Sequence, residues 1–189
     1  MCIRDRSEHT LDLIAESVDL ALRLAAFEDS SLIMRKVARI ERVACAAPAY
    51  LDRCGVPQKP SDLVHHQCLL LRFAGAREFR WLLTDAGKDL AVPVCGHLEA
   101  DDGDVLTVWA MEGRGIVVKP RFEVADALAD GRLVPVLEHT PPADVTLAVL
   151  YPARQLVPLK VKAFADMLLE EGRRFLSREL AKLDEKLKT

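Results

Sequence analysis

EADDGDVLTVWAMEGRGIVVKP, residues 99–120, is the stretch whose reading decides the fold. Either Asp102 or Asp104 suits a helix start, because a short carboxylate accepts the first free backbone N–H groups and complements the positive end of a helix. Val105, Leu106, Val108, Trp109 and Met111 follow at roughly helical spacing. Gly113 is suited to end that helix, since the left-handed backbone of such a stop is strained for any residue with a Cβ. Ile116-Val117-Val118 then reads as a buried strand closed by Pro120. A helix followed by such a strand is half of the crossover unit from which parallel sheets are assembled. The apolar positions are scaffold. The turn ahead of the helix has another use, because open α/β sheets bind ligands beyond the carboxyl ends of their strands. With a preceding strand at 92–99, residues 101–104 form one wall of any small-molecule site.

Working outward, 189 residues at 50% hydrophobic composition supply the core of one ordinary domain or of two small lobes. A formal net charge of −3 gives no global basic field to recruit nucleic acid. No apolar run reaches membrane-spanning length, and no secretory signal peptide is legible. The five cysteines, Cys2, Cys45, Cys54, Cys68 and Cys95, form no C-x-x-C pair and no metal-ligand spacing. An odd count of free thiols fits a reducing cytoplasm.

Residues 1–7, MCIRDRS, lack periodicity and read as an unstructured leader. A helix end at 11–14 and a turn at 16–17 lead to a strand at 18–24. A loop at 25–32, a segment at 33–39 and a second short strand at 42–47 follow. Residues 48–54 form a short helix with Pro48 at its first position and Gly55 as its stop. Ser61 is the expected cap of another helical turn at 61–63. Strands are expected at 69–73 and 79–83, with a turn at 84–88. Helix 123–128 is stopped by Gly131, and 133–137 is an edge strand because Pro135 cannot donate to a ladder. A strongly apolar strand at 145–151 precedes a long helix at 157–187, with Leu159, Phe164, Met167, Leu168, Phe175 and Leu176 on its inner side. Leu176, Leu180, Leu183 and Leu187 continue among Lys and Glu as a solvated amphipathic tail, too short for a coiled coil.

A strand, a long excursion, then a strand and a closing helix describe two α/β lobes joined by crossover strands at 42–47 and 145–151. LDLIAESVDLALRLA (11–25), RVACAAPAYLDRCGVPQKPSDLVHHQCL (42–69), GHLEADDGDVLTVWAMEGRGIVVKP (96–120), GRLVPVL (131–137) and LYPARQLVPLKVKAFADMLLE (150–170) occur in that order. Together they resemble the effector-binding domain of LysR-type transcriptional regulators, over about residues 11–175. The resemblance implies two Rossmann-like lobes of periplasmic-binding-protein type with a small effector in the cleft between them. On that template residues 8–45 and 146–176 form an incomplete first lobe, 46–145 the second lobe, and 177–189 a helical tail. The family's helix-turn-helix domain, its linker helix and the opening strands of the first lobe have no counterpart here. The expectation is therefore an N-terminally truncated fragment of a cytoplasmic regulator. Full-length members work as homodimers or tetramers, and DNA contact belongs to the missing domain. A transport-type solute-binding protein of the same fold is the alternative.

No residue pattern calls for catalysis, a metal or a cofactor. His65-His66 are adjacent, point in divergent directions and lack a carboxylate at ligand spacing, so a structural role is expected. Gly113-Arg114-Gly115 follows a helix, whereas a dinucleotide fingerprint opens one. Ser30-Ser31 and Ser61 sit in no nucleophile elbow. Cys45 and Cys95, in apolar strands, are expected to be buried and inert. For the effector, three segments are expected to converge, in regions where the resemblance also places contacts. They are the strand end with Leu71, Arg72 and Phe73, the helix start with Asp101, Asp102 and Gly103, and the first-lobe strand end with Arg23 and Ala25. Each has a competing structural reading: an ion pair for Arg72, a plain helix cap for Asp102, core packing for Phe73.

Overall fold

The computed structural model of the chain describes residues 18–25, 32–72, 79–152 and 157–186. The expected leader at 1–7, helix end at 11–14, turn at 16–17 and the loop following Ala25, together with Phe73, lie outside the described residues. The chain divides into two compact units, one on Val43–Lys119 and Asp130–Ala143, the other on the described residues within Leu11–Arg42, Pro120–Ala129 and Asp144–Thr189.

The second of these units is an antiparallel sheet with a helix on one face. Its strands are β1 (Ala21–Ala25), β2 (Leu32–Ile40) and β10 (Val145–Pro152), in the order β1-β10-β2. The central β10 carries the most apolar run of the three, and Ala148 and Val149 are wholly buried. The closing helix α4 (Leu159–Lys186) buries Val161, Ala165, Leu169 and Leu176 against Val37, Ile40, Val149 and Tyr151. This corrects the expected inner stripe: Leu159, Phe164, Met167 and Phe175 are exposed, Leu168 is half-buried, and only Leu176 is buried. The reason is close approach to β2. A Cβ on Gly172 would stand 3.0 Å from Cγ1 of Val37, so small and branched residues at 161, 165, 169 and 172 face the sheet. The larger aromatics are turned aside. Arg35 pairs with Asp166 at 2.5 Å, and Arg173 donates to the carbonyls of Lys36 (3.0 Å) and Val37 (3.2 Å), which fixes the rotation of the helix.

The other unit is organised on β3 (Arg42–Ala46), flanked by β8 (Val117–Pro120) and β9 (Val134–Val136) in the order β8-β3-β9. Pro135 lies on the edge strand, opposite Cys45, where its missing N–H costs no ladder bond. Helix α1 (Pro48–Cys54) starts on Pro48 and ends at Gly55, whose φ is 81°. A 3-10 turn follows at Pro60–His65, and here Ser61 is not the cap. Lys59 holds the cap position, and Asp62 reaches back to accept from the N–H groups of Gln58 (3.0 Å) and Lys59 (3.1 Å). Asp62→Ala is accordingly expected to lower the midpoint of denaturant unfolding. Ser61→Ala should stay within about 0.5 kcal/mol of the parent.

β4 (Leu70–Leu71) runs parallel to β7 (Glu99–Ala100), and Cys68 forms a parallel bridge to Ile116. Helix α2 (Gly103–Met111) makes the crossover from β7 to the segment entering β8, and Gly113 stops it with φ 72°. The expected strand at 92–99 does not exist as one element. β5 (Arg80–Asp85) and β6 (Lys88–Pro93) form a hairpin through Ala86 and Gly87, both at positive φ as a two-residue turn requires. Pro93 ends the pairing. Leu63, Leu70, Leu83 and Ile116 pack with Tyr50 into the core, each burial contributing roughly 1.5–3 kcal/mol. The helix expected at 123–128 is the single turn α3 (Ala125–Ala129).

Candidate functional site

The turn from β7 into α2 lies beside the carboxyl end of β4. Leu71 is paired with Ala100, and the Arg72 N–H donates to the Ala100 carbonyl at 2.8 Å. The Arg72 guanidinium, more than half exposed, pairs with the carboxylate of Glu99. Two residues on, Asp102 takes extended backbone (φ −121°) and its Oδ1 accepts from the Asp104 N–H at 2.7 Å. Asp102, not Asp104, is therefore the cap. Gly103 is buried at the first helical position, and its carbonyl accepts from Thr107 Oγ1 at 3.2 Å. Asp101 is exposed in the turn itself.

Five of the expected site residues, Leu71, Arg72, Asp101, Asp102 and Gly103, thus meet at one strand-end and helix-start cluster. Arg23 and Ala25 lie on β1 of the other unit, where Arg23 shares a row with Ala148. The competing readings for Arg72 and Asp102 are both realised, as ion pair and as cap. These roles leave further guanidinium N–H groups and carboxylate lone pairs for a ligand, because an Arg carries five donors and a carboxylate about four acceptor sites. Sequence reasoning passed over Glu99. A strand residue opposite Leu70 becomes Arg72's partner only once the β4–β7 register is known.

The histidine pair separates as adjacent residues do. His65 is exposed, while His66 is buried with its Nδ1 3.2 Å from the Tyr50 hydroxyl, which also accepts from the Gln67 N–H at 2.8 Å. Burial holds the His66 pKa below its ordinary value, reinforced by His65 and opposed by Asp62. A lowered folded pKa means that the neutral ring belongs to the native state and the unfolded chain takes up the proton first. The stability His66 gives is present above an unfolded pKa of about 6.5 and is lost as pH falls through the lower folded value. Denaturation midpoints should therefore fall from pH 7 to pH 5, and His66→Gln should flatten that slope.

Cys45 and Cys68 are buried thiols, each pushed up to about 12 by desolvation. Cys95 is exposed, against the buried position expected for it, because β6 ends at Pro93 and residue 95 lies outside any strand. Among the described residues no cluster of His, Cys, Asp and Glu has the makings of a metal site, and no helix is long and apolar enough to cross a membrane. A surface groove on the other unit is lined by Arg35, Lys36, Asp166, Glu170, Arg173 and Arg174; Arg35 pairs with Asp166, Arg174 with Glu170, and Arg173 donates to backbone carbonyls.

The chain matches the LysR substrate binding domain model over residues 3–173, and it belongs to that family. An uncharacterized HTH-type transcriptional regulator of Haemophilus influenzae is 32% identical over 82% of this chain and 54% of its own length. The HTH-type transcriptional activator TtdR of Escherichia coli is 29% identical over 82% of this chain and 50% of its own. Among solved structures, the regulatory domain of CrgA, a LysR-type regulator of Neisseria meningitidis, superposes with a TM-score of 0.66 at 32% identity. That match covers 84% of this chain and 77% of the CrgA domain. The fold is thus the periplasmic-binding-protein-like α/β fold of LysR-type regulatory domains, and the chain is an effector-binding domain of that type. It spans about half the length of the curated relatives it matches.

Proposed function

We propose that this chain is the sensing part of a bacterial transcriptional regulator and binds its effector at the carboxyl end of β4 and the start of α2. One observation carries the reading: Arg72 and the Asp101–Gly103 turn meet at the ends of two parallel strands, where open α/β sheets take ligands. The expected contacts of Arg23 and Ala25, which lie on the other unit, and of Phe73, which lies outside the described residues, are not part of this proposal. The effector is small and partly apolar, with a donor for the aspartates and an acceptor for Arg72. DNA binding belongs to a part of the regulator outside the matched region, the working form is a homodimer or tetramer, and the compartment is the cytoplasm. No catalytic step is assigned to any residue. The transport-type alternative has less support, because the relatives are regulators by name. Calorimetric titration of candidate effectors into the chain and its Arg72→Ala variant tests the site. A gel shift at physiological salt tests the assignment of DNA contact: a sequence-specific complex with this chain alone would overturn it.

A further inference from the structure

The flank of α4 that faces β2 holds charge that its ion pairs leave over. A surface groove of about 630 Å³ lies there, with four cations, Arg35, Lys36, Arg173 and Arg174, against two carboxylates, Asp166 and Glu170. Asp166 matches Arg35 at 2.5 Å, and Glu170 matches Arg174 at 2.6 Å. Arg173 is held differently. Its Nε donates to the Val37 carbonyl at 3.2 Å and its Nη2 to the Lys36 carbonyl at 3.0 Å. Neutral carbonyls orient the guanidinium without cancelling its charge, and they occupy two of its five N–H donors. The second of these bonds sets Arg173 beside Lys36, whose side chain is exposed and, among the described residues, enters no ion pair. Two positive charges without a carboxylate partner therefore meet on the groove wall. One is fixed by the β2 backbone, and the other rides on a flexible stem.

We infer that this groove is a second ligand site, in which Arg173 and Lys36 hold the phosphate of a small phosphate monoester. Charge is the first argument. A phosphate monoester carries roughly −1.5 to −2 near neutral pH and so answers both cations, whereas a single carboxylate answers one. Geometry is the second. The guanidinium fork matches two phosphate oxygens, and Arg173 is already held in place, so binding does not have to order it. Volume is the third. A space of about 630 Å³ falls within the ~300–1,000 Å³ of small-molecule sites and far exceeds one phosphate, so the ester carries an organic body. Asp166 and Glu170 accept hydrogen bonds from hydroxyl groups on that body, and they repel a second anionic group. A singly phosphorylated, hydroxyl-bearing molecule such as a sugar phosphate meets all three conditions. Every residue named lies on the β1-β10-β2 unit, so the inference does not rest on the effector site at β4 and α2.

The test titrates glucose 6-phosphate into the full chain by calorimetry at constant ionic strength, with glucose as the uncharged control. The expected result is saturable 1:1 binding of the phosphate ester and none of glucose. Lys36→Glu and Arg173→Gln should each weaken it by at least about tenfold, the usual loss when a charge-assisted hydrogen bond is removed. Arg173→Gln also gives up two bonds to β2, so circular dichroism checks its fold. Lys36→Glu changes an exposed side chain and decides the matter by itself if the arginine variant does not fold. Lys88→Glu, at an exposed site on β6 of the other unit, should leave binding unchanged. Absence of saturable binding, or equal binding by Lys36→Glu and the parent, would overturn the inference. So would an equal loss in Lys88→Glu, which would mark diffuse attraction of an anion to the whole chain. A loss in Arg72→Ala with Lys36→Glu unaffected would overturn it too, since the phosphate would then sit at the end of β4.

Discussion

Gly96→Ala is expected to unfold the β3-centred unit at moderate denaturant, with a loss of at least about 3 kcal/mol. The Cα of Gly96 lies against the segment entering β4, where the Cys68 N–H donates to the Cys95 carbonyl at 3.1 Å and the Leu70 N–H to the Leu98 carbonyl at 3.1 Å. A Cβ built there would stand 1.9 Å from the Cys68 carbonyl oxygen and 2.6 Å from Gln67 Nε2. The amide is the end of a flexible side chain and yields cheaply. The carbonyl belongs to the backbone that registers β4 against β7, so relief means pulling the ladder apart. Gly131→Ala supplies the contrast. Its φ is 70°, and nothing stands within 4 Å of the new Cβ, so only backbone strain of about 1 kcal/mol is added. Denaturation midpoints of the two variants should differ severalfold in their displacement from the parent. Equal displacement would show that the segment at 95–98 gives way without cost, and that the site built on β4 and β7 is not rigid.

That contrast also marks where the sequence was legible. α2 was readable because its signals are local: a carboxylate at the cap, an apolar run, and a glycine that now shows φ 72°. α1 was readable for the same reason, with Pro48 and Gly55 at its ends. Of the hairpin, β5 and its turn were readable at 79–83 and 84–88, but β6 was not, because the apolar run at 92–99 placed the next strand beyond Pro93, where the pairing in fact ends. The inner face of α4 was misread for a different reason. Size alone marks Leu and Phe as core, but close approach to β2 favours Val161, Ala165 and Gly172 beside Leu169 and Leu176, and that distance is not written in the helix's own residues. The candidate site falls between these cases. A carboxylate cap at Asp102 or Asp104 follows from capping chemistry alone, the structure selecting Asp102, whereas the Glu99 partner of Arg72 depends on a parallel register between segments 27 residues apart.

Arg72→Ala is expected to weaken effector binding roughly ten- to a hundredfold, the equivalent of a charge-assisted hydrogen bond worth about 1.5–3 kcal/mol. The electrostatics of the cluster decide which ligands show the effect. A helix N-terminus by itself attracts anions. Here Asp102 caps α2 and Asp104 sits in its first turn, each complementing the helix end by roughly 0.3–1 kcal/mol. Their charge, with that of Asp101, disfavours a bare dicarboxylate. Among the described residues of the cluster Arg72 supplies the one cation, and Glu99 partly neutralises it. A ligand that offers an acceptor to Arg72 and a donor to the aspartates matches this pattern better than an anion does. Asp102→Asn separates charge from folding, since Asn caps a helix about as well as Asp and α2 keeps its start. It should lower stability by no more than the roughly 0.3–1 kcal/mol of the lost charge at the helix end and shift preference toward anionic analogues. Glu99→Gln, by releasing Arg72 from its partner, should strengthen binding of the same acceptor-bearing ligand severalfold. If calorimetry finds an effector that binds the parent, Arg72→Ala and Asp102→Asn with equal affinity, the ligand does not sit at the end of β4 and the start of α2.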